Sequence, residues 1–231
     1  MNKILLSLMA FVIALLPLTA QAQEISIKSF VGEVYIEGVP YEQVIRFDAR
    51  TAAPILLEMM ADPAEEANLP NIVVTLGMLG DDRAVEPLIR FIETSSSREA
   101  LSRAQYVART SAVISLGYIV NKAGNKQALE YLMQSVQPQV WRERQVTWIS
   151  PFHSDPNDRN AYLSKMAILG LGLTGAPEAA ETLRSLQMPA STEEDRVFRD
   201  KVAPVVEEAL RANETIGRIG LVEYYRVGNS R

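Results

Sequence analysis

The sequence predicts an all-α protein: an α-solenoid, a superhelix of antiparallel helix pairs, with a short extended N-terminal segment. Three observations carry that prediction. First, Leu76-Gly77-Met78-Leu79-Gly80-Asp81-Asp82-Arg83-Ala84-Val85-Glu86-Pro87-Leu88 aligns without gaps on Leu171-Gly172-Leu173-Thr174-Gly175-Ala176-Pro177-Glu178-Ala179-Ala180-Glu181-Thr182-Leu183 as L-G-x-x-G-x-x-x-A-x-x-x-L. Internal similarity on this scale marks stacked supersecondary units. Second, a third copy reads Leu116-Gly117-Tyr118-Ile119, then Ala128 and Leu132, with four extra residues around 121–125. A half copy, Arg50-Thr51-Ala52-Ala53-Pro54-Ile55-Leu56, repeats Arg83-Ala84-Val85-Glu86-Pro87-Leu88-Ile89 at an offset of 33. Third, Ile72-Val73-Val74-Thr75-Leu76 and Ala112-Val113-Ile114-Ser115-Leu116 are apolar on nearly every side, as a helix buried between neighbours must be.

The elements follow in chain order. Lys3 leads into an apolar run over 4–16, and Ala20-Gln21-Ala22 supplies the small-residue pattern of a cleaved secretory signal peptide. The mature chain is expected to begin near Gln23, exported to a periplasm or to the extracellular space, and its net charge moves from −5 to −6 as Lys3 leaves. The apolar run, about 13 residues, falls short of the roughly 20 that a membrane-spanning helix needs, and no later segment comes close. Residues 23–40 alternate apolar and polar positions, as in Glu24-Ile25-Ser26-Ile27 and Glu33-Val34-Tyr35-Ile36. That reads as short extended segments or a poorly formed first helix. The repeat domain is expected over 41–231, with an insertion at 138–160.

Within each unit, a first helix should end at Gly80, Gly124 or Gly175, where a left-handed residue closes it. Pro54 and Pro87 should mark the first turn of the second helices, because proline is tolerated only there. Gly77, Gly117 and Gly172 lie inside first helices at a cost of about 1 kcal/mol each relative to alanine. Their recurrence predicts helices that approach too closely for a side chain. The units resemble HEAT-type repeats, specifically the short form of phycobilisome-lyase-like proteins, over about residues 41–187. The resemblance implies an α-solenoid that serves as a scaffold for protein binding, with the second helices lining the concave face. It brings no lyase activity, since repeats alone carry no catalytic site.

Towards the C-terminus, Ser96-Ser97-Arg98-Glu99 and Ser191-Thr192-Glu193-Glu194 read as capping boxes that start helices running to Val120 and Ala212. Residues 213–225 read as a shorter helix covering the last apolar face, which an array requires.

Composition excludes several classes. At 48% hydrophobic and 22% charged, the chain is neither disordered nor collagen-like. The absence of cysteine removes disulfides, thiolate catalysis, Cys-ligated zinc, thioether-bound haem and a lipoprotein anchor. Residues 23–98 hold 13 acids and 6 bases, and residues 99–231 hold 15 and 16; neither half has the basic excess of a nucleic-acid surface.

Some motifs invite a sharper reading. Gly170-x-Gly172-x-x-Gly175 fits the dinucleotide fingerprint, with Asp195 downstream, but the repeat register already uses two of those glycines and no strand precedes them. Asn213-Glu214-Thr215 is a glycosylation sequon. Glu193-Glu194-Asp195 suits a helix first turn better than a metal.

The insertion is the candidate site. It holds both tryptophans, Trp141 and Trp148, with Arg142, Arg144, Phe152 and the only histidine, His153. Trp and Arg are enriched at binding hot spots, so these six are the candidate contacts for a protein or peptide partner. The alternative is that Trp141 and Trp148 fold back as packing, with partner binding on the second helices around Glu86, Arg90, Glu130 and Arg184. His153, Asp155 and Asp158 offer imidazole and carboxylates that would suit a metal, but a lone histidine on a proline-flanked loop is ordinary polar surface. Neither metal nor cofactor is expected. With one histidine, no cysteine and no G-x-S-x-G turn, no nucleophile–base pair assembles. The expected function is therefore an exported, non-catalytic interaction scaffold; an envelope hydrolase or lyase with a metal or acid-only site near 138–160 is the alternative.

Overall fold

The computed structural model describes residues 26–94 and 100–228. Among them lie twelve α-helices and no strand. The signal-peptide reading, the cleavage point and the Ser96 capping box fall outside the described residues.

The N-terminal segment departs from the extended reading. The Ser26 hydroxyl accepts from the backbone N–H of Ser29 and caps α1 (Ile27–Val31). Ile27, Phe30 and Val31 go into the core; their spacing of three and four is helical, and it decides against the two-residue alternation. Turns and bends follow over 32–40.

Short α2 (Tyr41–Val44) precedes α3 (Ala49–Ala61), which the Asp48 carboxylate caps. Pro54 is the sixth residue of α3, beyond the first turn where the sequence placed it. Next come α4 (Leu69–Leu79), a 3₁₀ turn over Asp82–Ala84 and α5 (Val85–Glu93). Pro87 does sit in the first turn of α5.

The third unit is α6 (Arg103–Ala123) with α7 (Lys126–Gln134). A capping box opens α6, but it pairs Ser102 with Gln105. The insertion begins with α8 (Pro138–Glu143), and the fourth unit is α9 (Pro156–Thr174) with α10 (Pro177–Ser185). Asp155 caps α9, so that helix starts at Pro156. Thr192, one residue past the expected Ser191, caps α11 (Glu193–Ile219) by accepting from the Asp195 N–H. This helix runs through 213 instead of ending at Ala212, and α12 (Leu221–Gly228) is the last element among the described residues.

The expected stops are present. Gly80, Gly124 and Gly175 adopt φ of 69°, 66° and 65° at the ends of α4, α6 and α9. The first helices pack in series, α4 on α6, α6 on α9 and α9 on α11, while α5, α7 and α10 lie against them. The inner glycines explain the closeness. A Cβ at Gly117 would stand 2.1 Å from the Gly170 carbonyl oxygen, and one at Gly77 would stand 2.5 Å from the Ser115 Cβ. Leu116 and Leu171 are fully buried on either side of that contact.

Second helices are joined at their N-termini. Asp48, Asp81 and Asn125 occupy equivalent cap positions, and each later cap reaches back to the unit before it. Arg83 donates to the Arg50 carbonyl (3.1 Å), Asn125 to Asp82 (2.8 Å) and Gln127 to Glu86 (3.2 Å).

Candidate functional site

The insertion is built around its two tryptophans, which the structure places in the core, as the packing alternative held. Trp141 leaves α8 inward and its indole N–H donates to the Ser135 carbonyl (3.0 Å) and the Ser164 hydroxyl (3.1 Å). Trp148 donates to the Ile92 carbonyl at the end of α5 (2.8 Å). Both rings are almost wholly buried. A buried indole needs a partner for its one donor, and these two have theirs.

Around the rings sit three arginines. Arg159 donates to the carbonyls of Trp148 (2.7 Å) and Val146 (2.6 Å) and to Asn160 Oδ1 (3.0 Å). Arg109 spans the carbonyls of Phe91 (2.5 Å) and Thr94 (2.6 Å) at the C-terminus of α5. A cation suits the negative end of that helix. Burial lowers the Arg109 pKa to about 10 and lowers that of Arg159 as well. Arg144 stacks 3.9 Å above the Tyr131 ring, donates to Ser135 and Gln134, and lies 3.6 Å from Glu93. Arg144 is thus a structural clamp, while half-exposed Arg142 faces Glu194 at 3.6 Å. Arg142 also walls a cleft of about 480 Å³ between α8 and the start of α11, with Gln139, Thr192, Phe198 and Arg199.

What the insertion turns outward is Phe152, 57% exposed, and Ile149, 46% exposed. Both are held in place. The Ile149 carbonyl accepts from the Leu101 N–H (3.0 Å), and the Ser150 hydroxyl accepts from the N–H groups of Phe152 (3.1 Å) and His153 (3.0 Å). Tyr106 meets Phe152 edge-on at 4.9 Å, and its hydroxyl lies 3.2 Å from His153 Nδ1. Burial raises the Tyr106 pKa to about 12. His153 Nδ1 also lies 3.2 Å from the Ser150 hydroxyl, and the ring packs 5.2 Å from Tyr162. The candidate metal set is dispersed into these roles: Asp155 is an N-cap, and among the described residues no three His, Asp or Glu side chains gather as an ion site.

Other singled-out residues also resolve. Gly170 and Gly172 lie inside α9 against Leu132 and Ala209, and no strand precedes them among the described residues, so the dinucleotide reading fails on context. Asn213 is buried, its amide donating to the Leu171 carbonyl and the Thr174 hydroxyl, both at 2.9 Å. The sequon asparagine is thus spoken for. Of the second-helix residues, Glu86 accepts from Gln127, Arg184 pairs with Glu214 (2.7 Å), and Arg90 and Glu130 are exposed.

Sequence reasoning missed a cluster of tyrosines. Tyr41, Tyr118 and Tyr225 stack within 4.8–6.4 Å of one another, although they are far apart in the chain and belong to α2, α6 and α12. No local signal links them.

Comparison with known proteins bears on the repeat. The family model for the PBS lyase HEAT-like repeat matches residues 71–94. This supports a HEAT-type repeat protein. The matched segment spans most of α4, its Gly80 stop and all of α5. No curated protein and no solved structure matches the chain. No helix among the described residues is long and apolar enough to cross a membrane.

Proposed function

We propose that this chain is an exported helical-repeat scaffold, wound as a right-handed α-solenoid, that holds a protein or peptide partner and performs no catalysis of its own. The observation that carries the reading is the recurrence of one unit. The glycine-stopped first helix and polar-capped second helix at the matched segment 71–94 return at α6–α7 and, with the glycine stop but no side-chain cap, at α9–α10. Arrays of this kind offer an extended surface whose use is binding. Export rests on Lys3, the apolar run over 4–16 and Ala20-Gln21-Ala22.

The partner surface is the outer rim of the insertion. Trp141, Trp148 and Arg144 hold it from below, Ile149, Phe152 and Arg142 face outward, and His153 lies half-buried beside them against Tyr106 and Tyr162. Exposed apolar side chains on a fixed backbone bind with little ordering cost. Affinity capture from an envelope fraction tests this with wild type beside the double variant Ile149→Ser, Phe152→Ser. The expected result is that the variant melts like wild type and loses the proteins that wild type retains. Equal retention by both moves the surface to Glu86, Arg90, Glu130 and Arg184. A wild type that retains nothing overturns the scaffold reading.

A further inference from the structure

We propose that α12 is an exchangeable strap: it seats on a tyrosine groove of its own chain, and through Gly220 it swings out to seat on the same groove of a second copy.

Gly220 alone separates α11 from α12. Its φ of 81° and ψ of 159° lie in a region open essentially to glycine only. A Cβ added there would meet nothing within 4 Å. The constraint at this hinge is therefore conformational and not steric. If Gly220 turns helical, α11 and α12 become one continuous helix, and α12 leaves its seat.

That seat is small and specific. Tyr225 of α12 stacks on Tyr41 with ring centroids 4.8 Å apart, and its hydroxyl hydrogen-bonds that of Tyr118. Leu221 is the one residue of α12 that is buried, while Val222 and Val227 are 53% and 44% exposed. The stacked Tyr225 and buried Leu221 anchor the strap.

The occupant follows from identity. A groove complementary to α12 is equally complementary to α12 of another copy, so exchange keeps every seat contact and relieves the glycine-only turn. Short, constrained hinges are where such exchange occurs. The approach is mixed, with Glu37 and Gln43 beside apolar side chains. A groove of about 720 Å³ runs from Tyr41 and Tyr225 to the loop over 34–40, past Val34 and Ile36, which are 90% and 98% exposed. A second chain arriving by its α12 comes in over those two side chains.

The test is Gly220→Ala in the full chain, read by size-exclusion chromatography with light scattering. Alanine favours the helix and disfavours the turn, so the dimer-to-monomer ratio is expected to rise on the order of tenfold or more over wild type at equal concentration. A synthetic peptide of residues 221–228 in excess should return the variant to monomer, and a short glycine insertion after Gly220 should keep the chain monomeric. A monomeric Gly220→Ala chain overturns the proposal, whether its α12 stays seated or swings free. So does a dimer that the peptide does not dissociate. If Gly220→Ala does not fold, concentrated wild type carries the test: absence of a dimer, or a dimer that survives Tyr225→Ala, overturns the proposal.

Discussion

The guanidinium of Arg83 donates to the backbone carbonyl of Arg50 at 3.1 Å, the carbonyl to which Pro54, four residues on and lacking an N–H, has nothing to give. The two arginines are equivalent positions of successive units. One repeat thus repairs the helix of the repeat before it, and proline is accommodated past the first turn of α3. Arg83→Ala is expected to lower the melting temperature. The loss should be smaller in a Pro54→Ala background, where the helix supplies its own donor.

Asp81 should couple stability to acid. Its hydrogen bond from Arg83 holds its carboxyl below the usual range, against a smaller opposing effect of burial. A lowered folded pKa means stability that is present above the ordinary carboxylate range and lost as pH falls through the folded value. Asp81→Asn should therefore melt below wild type at pH 6, and the difference should shrink below about pH 4. Asp81→Ala, which also removes the cap of the Asp82–Ala84 turn, should cost about 1 kcal/mol in denaturant unfolding.

Gly117→Ala sets two effects against each other. Helix propensity alone favours alanine by about 1 kcal/mol. The new Cβ, however, would sit 2.1 Å from the Gly170 carbonyl oxygen, and backbone cannot step aside as a side chain can. Overpacking should win, with a net loss of about 1–3 kcal/mol. Chemical denaturation that finds Gly117→Ala more stable than wild type contradicts the close stacking of α6 on α9.

Trp148→Ala should cost about 3–5 kcal/mol through cavity formation. Trp148→Phe keeps most of the volume but strands the Ile92 carbonyl, and should cost about 1 kcal/mol. A Trp148→Phe chain as stable as wild type in urea titrations would mean that the indole N–H contributes nothing.

Alkaline titration followed by tyrosinate absorbance should show a late component near pH 12 that disappears in Tyr106→Phe. Because the folded pKa is raised, the stability linked to neutral Tyr106 is intact below the ordinary tyrosine range near 10 and is lost between there and about 12.

The backbone of the fold was legible because glycine and proline act locally. Gly80, Gly124 and Gly175 announce left-handed stops, and Gly117 announces a close approach, without reference to anything distant. Caps were less secure, since Ser191 and Thr192 are chemically alike and only the geometry of α11 chooses between them. Nothing local says whether Trp148 faces a partner or Ile92, because the carbonyl that receives it is 56 residues away. The same holds for Tyr41 and Tyr225, whose stacking depends on α12 folding back across the array. The six residues singled out in the insertion thus split by burial, a property that composition does not encode.

Arg159 holds the insertion together through the carbonyls of Trp148 and Val146, and Trp148 attaches it to the carbonyl of Ile92; neutral carbonyls do not titrate. Acid that neutralises Asp81 has no purchase on this lock, and salt acts weakly on buried charge–dipole contacts. The molecule therefore has an order of release: on acidification the Asp81–Arg83 joint between the first two units slackens, while the carbonyl contacts of Arg159 and Trp148 persist. Falling pH would thus loosen coupling along the repeat before it loosened the anchoring of the insertion.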